Sequence, residues 1–295
     1  KNKMIDWMKY RKIYFAISGI LVIIGAYSLA SWGFNLGVDF KGGTIAEYKF
    51  QEFLSTEEIS KSLENEGIEV SSVQTTGEKQ YIFRLSPLTP SEKDKLKSIL
   101  EGSGKTFEEL RFETVGPSIG PELVKKTVYA ITIAAVVILL WVAYQFKSIM
   151  FGASAILAMF HDTFNLVGLF AILGHLFGAE VDFLFVTAVL TTLSFSVHDT
   201  IVVYDRIRES QKKFGVNLYD LANKAITETM VRSLNNSFTI IFMLVALILL
   251  GGSTIRWFAV ALFIGTVLGT YSSPFVAVPL LVTWDNLSKR LKFKK

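Results

Sequence analysis

Histidine and aspartate stand side by side twice in this chain, at His161-Asp162 and His198-Asp199, each time inside a long apolar stretch. An ionisable side chain at mid-bilayer costs ~2.5–3.5 kcal/mol on insertion scales, so each one needs an explanation. A carboxylate held there can gain and lose a proton, and a neighbouring imidazole titrates near neutral pH. On a helix turning about 100° per residue, Thr187, Thr191, Ser194, His198 and Asp205 share one stripe. Thr192, Ser196, Asp199 and Arg206 form the stripe beside it, and Val186, Val189, Leu190, Leu193 and Val197 cover the rest. The pattern predicts a helix that turns its polar half toward other helices or water, because lipid cannot satisfy such groups. A second segment repeats the idea more weakly: Ser154, Ala158, His161, Asn165 and Gly168 line one face, with Asp162 at its edge. A third apolar run opens on Arg232, Asn235, Asn236 and Ser237.

These residues read as an ion pathway. Asp199 is the carboxylate that takes and releases a proton, and Arg232 approaches from the following helix to hold it charged in one state. His161 and Asp162 fit a secondary relay and a structural hydrogen-bonded pair equally well. Asp205, Arg206 and Arg232 lie near helix ends, where snorkelling anchors are also found. A metal site fits poorly: there is no His-Glu-x-x-His helix, and adjacent residues on a helix diverge too far to chelate together. Lys41-Gly42-Gly43-Thr44 lacks the upstream glycine of a phosphate loop. The chain has no cysteine, which removes thiol chemistry and disulfides. No enzyme class, metal or cofactor is expected, and the energy for transport must come from a coupling ion or a partner.

The elements that must position these groups are membrane helices. The 295 residues are 51% hydrophobic and 19% charged, and the mean hydropathy is +0.42, which places the chain in the membrane class. Six runs are long enough to span a bilayer: 13–32, 127–145, 149–173, 183–204, 234–250 and 257–284. The sixth contains Pro274 and Pro279, so a kink is expected. The first also has a rival reading as a cleaved signal peptide, with Ser28-Leu29-Ala30 as the small-residue site, but its length favours a retained helix. The net charge of +4 is gathered in juxtamembrane clusters. That argues against nucleic acid and for an oriented membrane protein. Residues 1–12, Lys147, the loop 205–232 and the tail 286–295 carry nearly all the flanking Lys and Arg and fall on one side. Both termini are therefore expected in the cytoplasm. Trp7, Trp32, Trp141, Trp257 and Trp284 all fall near predicted helix ends, as interfacial rings do.

Residues 33–124 then lie outside the cytoplasm, ahead of the block 125–285 that holds the other five helices. Their pattern gives strands over 44–50, 69–75, 80–85 and 107–115 and helices over 56–66 and 90–100. The order β-α-β-β-α-β is that of a ferredoxin-like split βαβ unit. Leu218, Leu221, Ala225 and Ile226, in the polar segment before Arg232, fit an amphipathic helix at the membrane surface, though a plain helical linker is the favoured reading.

Four motifs carry a likeness that covers nearly the whole chain. They are NLGVDFKGGT at 35–44, VGPSIGPEL at 115–123, His161-Asp162, and SVHDTIVVYDRIRE at 196–209 followed by the Arg232 segment and Gly251-Gly252. With these in this order, the chain resembles the SecF branch of the SecD/SecF family, bacterial protein-export subunits of the RND (resistance-nodulation-division) superfamily. The resemblance implies a six-helix bundle in the bacterial inner membrane, paired with SecD. It further implies association with the SecYEG channel and YajC, and a proton- or sodium-driven cycle that helps unfolded preproteins leave the channel late in translocation. It puts the proton relay on Asp199, with Arg232 as its partner. It puts the motif after helix one on Asp39, Gly42 and Gly43, where glycine permits a tight backbone path. The family more often has asparagine before the aspartate, and here that position is His198, a second group able to titrate near neutral pH. Half of a small-molecule or lipid transporter of the same superfamily, and a scaffold without ion coupling, are the alternatives.

Overall fold

The computed structural model describes residues 5–102, 106–116, 119–146, 148–214 and 217–292. Lys1, Lys3, Lys147, Lys294 and Lys295 of the basic clusters, and Pro117 and Ser118 of the second motif, lie outside the described residues. The chain divides into two compact units, Leu36–Tyr129 and the remainder.

The smaller unit is built as its residue pattern dictates. A short turn of helix, α2 (Val38–Lys41), leads into β1 (Gly43–Phe50), and α3 (Thr56–Asn65) follows. Then come β2 (Val70–Gly77), β3 (Gln80–Leu85), α4 (Pro90–Gly102) and β4 (Phe107–Val115). The α3 helix starts where Ser55 accepts the Glu58 N–H, with Glu57 and Glu58 in the first turn to complement the dipole. The four strands lie in the order β2-β3-β1-β4, every neighbour antiparallel. One sheet face and the two helices enclose Tyr48, Phe50, Tyr81, Phe83, Leu63, Leu96 and Leu100. At the start of β1 the backbone takes φ of 80° at Gly42 and 134° at Gly43, which glycine alone adopts cheaply. A Cβ on Gly120 would stand 2.5 Å from the Phe40 carbonyl oxygen, so the first and second motifs meet here at backbone contact.

The larger unit is helical. A 3-10 turn, Trp7–Tyr10, precedes α1 (Arg11–Ser31). The end of α5 (Ile119–Phe146) is followed by α6 (Ile149–Phe177), α7 (Phe183–Phe214), α8 (Leu218–Leu250) and α9 (Ser253–Ser272). A π turn, Ser273–Ala277, joins α9 to α10 (Val278–Lys292). Six helical stretches are long and apolar enough to cross a membrane. Residues 205–232 are helical on both sides of their middle, as the linker reading asks, and among the described residues they form no separate surface helix. Instead α7 runs on to Phe214, and α8 begins at Leu218 and continues through the apolar run, so the connection is very short. Leu218, Leu221, Ala225 and Ile226 are buried because that extension packs within the unit.

The first span packs within the bundle. Trp7 Nε1 donates to Thr227 Oγ1 at 3.0 Å, and Met8, itself buried, donates its N–H to Asn223 Oδ1 at 2.9 Å. Further along, α1 crosses α6 at Gly25 and Gly168, so closely that a Cβ on Gly168 would overlap the Gly25 backbone. Ser28 Oγ seals the crossing by donating to Gly168 O at 2.8 Å. Small residues at such crossings let helices approach where lipid offers no hydrophobic drive.

Candidate ion-relay site

Helix α7 stands at the centre of the bundle, against α6, α8 and α9. Its contact with the last span is a ladder with a step of four residues. Gly265 faces Thr192, Gly269 faces Ser196, Thr200 Oγ1 meets Ser273 Oγ at 3.0 Å, and Tyr204 Oη meets Ala277 O at 2.9 Å. Rows of i±4 residues on both helices are what interlock in this packing. Pro274 falls inside the ladder. Its ring and missing N–H would break an α turn, and the chain widens into the π turn instead, with Val278 N–H reaching Ser273 O.

This packing buries the second polar stripe together with the apolar face and leaves the first stripe out. Thr192, Ser196, Asp199 and Thr200 are buried, whereas Thr187, Thr191, Ser194 and His198 are exposed on the unit. Of the polar half expected to face other helices or water, only the second stripe meets other helices within this chain. The reason is local: Thr187 Oγ1 donates to Phe183 O at 2.9 Å and Thr191 Oγ1 to Thr187 O at 2.8 Å, so these hydroxyls are satisfied by their own helix.

Asp199 is 3% exposed and accepts a hydrogen bond from Ser233 Oγ of α8. Arg232, the residue before that serine, points elsewhere: it is exposed and lines a cavity of about 570 Å³ with Asp205, Arg206, Glu228 and others. Among the described residues no ion pair joins Arg232 to Asp199. Asp205 and Arg206 are engaged in surface pairs, Asp205 with Arg208 at 2.8 Å and Arg206 with Glu228 at 2.5 Å and Glu209 at 2.7 Å. His198 adjoins Asp199 in sequence but lies on the exposed face.

A second carboxylate is more deeply enclosed. Asp162 is 1% exposed, and three donors converge on it. Ser196 Oγ donates to Oδ2 at 2.6 Å, Ser272 Oγ donates to the same oxygen, and His161 Nδ1 lies 2.9 Å from Oδ1. His161 Nε2 in turn lies 3.0 Å from Asn165 Nδ2. The sequence reading named His161, Asp162, Asn165 and Ser196 but missed Ser272 and Ser233. The visible signal for Ser272 was a polar pair ahead of Pro274 in an apolar span; for Ser233 it was adjacency to Arg232. The geometry therefore offers two buried carboxylates, each solvated by hydroxyls and neither paired with Lys or Arg among the described residues. Asp39, Gly42 and Gly43 belong to the smaller unit.

Comparison with known proteins agrees with this architecture. Residues 95–287 match the family described as Protein export membrane protein SecD/SecF, C-terminal, and residues 27–52 match the SecD/SecF GG motif. A protein translocase subunit SecF from Thermobaculum terrenum is 41% identical, over 96% of this chain and 95% of its own. One from Vibrio alginolyticus is 35% identical, over 95% and 89%. The crystal structure of SecDF from Thermus thermophilus, described as a translocon-associated membrane protein, superposes with a TM-score of 0.84 at 34% identity. That match covers 97% of this chain and 39% of the longer SecDF chain. A SecDF crystal structure in a super-membrane-facing form gives 0.72 at 32% identity, over all of this chain and 40% of that one. By sequence over nearly its full length, and by the bundle just described, this chain belongs to the SecD/SecF family of protein-export membrane proteins.

Proposed function

We propose that the chain is an ion-gradient-coupled subunit of the Sec export machinery, working with SecD at the SecYEG channel to draw unfolded preproteins out of the membrane. The observation that carries this reading is Asp199, a buried carboxylate in the central helix, held by the Ser233 hydroxyl and left without a permanent counter-charge. An acid so placed is stable in a membrane when a proton occupies it, and its release is a change of charge that the bundle must answer. Arg232, exposed beside Ser233 and not paired with Asp199 among the described residues, is the cation that answers it when the site is ionised.

Orientation follows from the basic residues. Arg206, Arg208, Lys212, Lys213, Lys224 and Arg232 gather where α7 meets α8, so that end lies in the cytoplasm and both termini lie with it. The smaller unit is then extracytoplasmic, and its strand order 2-3-1-4 supports the ferredoxin-like assignment. SecD covers the exposed face of α7, where His198 has no hydrogen-bonding partner that lipid can supply. The similarity to 39% of a SecDF chain leaves the rest of that chain to a SecD-type half. YajC is a further associate in this reading, and the coupling ion is the proton.

Export completed into inverted vesicles carrying this chain with SecD tests the proposal, with and without an imposed proton gradient. Asp199→Asn is expected to assemble with SecD yet lose the benefit of the gradient. A mutant that responds like wild type would make the bundle a scaffold without coupling.

A further inference from the structure

We propose that Asp162 and His161 form a second proton-holding site, one helical turn from Asp199 toward the α6–α7 connection. Protons would pass between that end of the bundle and Asp199 through it. The inference rests on the proposed function in taking Asp199 as the coupling acid, but it concerns different residues and is separable from it.

Four observations carry it. First, Asp162 is among the most completely buried charged side chains of the bundle, at 1% exposure, and no Lys or Arg among the described residues meets it. A carboxylate so placed has to be compensated by a proton.

Second, the groups facing it come from three helices and handle protons. They are His161 on α6 itself, Ser196 on α7 and Ser272 at the end of α9. The adjoining helices add no further charge: α1 brings Gly25 and Ser28 to Gly168, and α8 brings Ser233 and Ser237 to the level of Asp199. Three protein donors already occupy most of the carboxylate's lone pairs, and one is an imidazole. A dehydrated metal cation wants those lone pairs free, so the arrangement favours a proton over sodium.

Third, the His161 ring joins two states. With Asn165 Nδ2 donating to Nε2, the ring carries its proton on Nδ1 and gives it to Asp162. With the Asn165 amide turned over, Oδ1 accepts from Nε2–H, and the ring can hold a second proton. The pair can thus carry one proton more or fewer at the cost of one amide rotation.

Fourth, two buried polar atoms just beyond Asp162 have no partner: Asn165 Oδ1 and Thr192 Oγ1. Asn165 is one turn from Asp162 along α6, and Thr192 is one turn from Ser196 along α7. Both steps lead toward the α6–α7 connection. On the other side, Ser196 and Asp199 are neighbours at i, i+3 on one helix. A buried polar atom without a partner is where a water is expected. The line Asn165/Thr192, Asp162/Ser196, Asp199/Ser233 therefore reaches from the extracytoplasmic half of the bundle to the coupling acid.

The test is pH-dependent infrared difference spectroscopy on the complex of this chain with SecD in liposomes, following the C=O band of protonated carboxyl groups. Two titrating bands are expected, one removed by Asp199→Asn and the other by Asp162→Asn. Ser272→Ala should keep the Asp162 band but move it to higher frequency, because the carbonyl loses a hydrogen bond. This variant carries the test if Asp162→Asn fails to assemble. Gradient-driven export should fall at least about a hundredfold in Asp162→Asn, the low side of what a positioned proton-transfer group contributes. The inference is overturned if no band sensitive to Ser272→Ala titrates, or if that band answers to sodium at fixed pH and not to protons. An Asp199 band that titrates beside a silent Asp162 would leave the proposed function standing and remove this one alone. A titrating Asp162 beside an Asp199→Asn mutant that keeps its gradient response would remove the proposed function and the passage to Asp199, and leave Asp162 and His161 as a proton-holding site alone.

Discussion

The two units of this chain bury opposite kinds of residue. The smaller unit encloses Tyr48, Phe50, Tyr81, Phe83 and leucines, and, tyrosine hydroxyls apart, the only polar side chains it buries among the described residues are Thr44 and Glu47. Both are satisfied, Thr44 by Leu88 N–H and by Thr114, Glu47 by Gln80. The helical unit buries Ser28, Ser154, Asp162, Asn165, Thr192, Ser196, Asp199, Thr200, Ser233, Ser237, Ser272 and Ser273. It exposes Ile20, Ile23, Val137, Leu140, Phe242 and Leu249. In water, apolar area drives folding at roughly 25 cal/mol per Å². In lipid that drive is absent, so close packing and hydrogen bonds between helices hold the unit together. The same aspartate would be a surface residue in one unit and is buried among hydroxyls in the other.

The contrast is open to attack at several points. The largest effect is expected at the α1–α6 crossing. Gly168→Leu has no room against the Gly25 backbone, so the folded yield of the detergent-solubilised protein should be lost altogether. Survival with a normal melting profile would show that small-residue contact does not hold the bundle. Next comes a pair of truncations. Phe83→Ala, at a fully buried position of the sheet, should cost about 3–5 kcal/mol, read as faster hydrogen exchange across β1, β3 and β4. Thr200→Ala removes a bridge to Ser273 and should cost only about 0.6 kcal/mol, the average for hydrogen bonds between membrane helices. Equal costs would erase the distinction between the two cores.

The smallest effect belongs to the surface of the smaller unit. Lys93 and Lys97 both reach Glu109, each at 2.9 Å. Partial burial pulls the Glu109 carboxyl upward, but the two lysine hydrogen bonds outweigh it and hold the group below the usual carboxylate range. The sign is that of a depressed acid: the pairs contribute above the ordinary glutamate value and are lost as pH falls through the lowered one. Because all three side chains are partly exposed, Glu109→Gln should cost ~0.2–1 kcal/mol. A thermal melt should show that difference near neutral pH, and it should vanish in strong acid.

Much of this was legible from residue order. Period-two and period-3.6 patterns gave the strands 80–85 and 107–115 at the bounds the structure has, because both units fold largely as local periodicity asks. What escaped was set by neighbours distant in sequence. The α7 and α8 extensions are polar outside and apolar inside, so a hydropathy window ends them early; only packing against the N-terminal turn reveals them. Which polar stripe of α7 packs within this chain was not legible at Thr187 and Thr191, since a threonine that bonds its own helix looks, in sequence, like one that needs a partner. Asp199 and Asp162 stood out by their cost in a membrane, whereas Ser233 and Ser272 did not, because a hydroxyl's importance lies in what it faces.

The π turn at Ser273–Ala277 has a consequence for how the gene can change. Below it, Val278, Leu281 and Val282 are buried, with Tyr204 fixed on Ala277. The turn holds one residue more than an α turn, so deleting one residue from it would restore an ordinary helix and leave the side chains after it on the faces they now hold. Deleting one from α10 itself would rotate everything after it by about 100°, and a loss just before Leu281 would put Thr283 in the buried place of Val282. A change of length by one codon is therefore absorbed at the turn and scrambles the span beyond it.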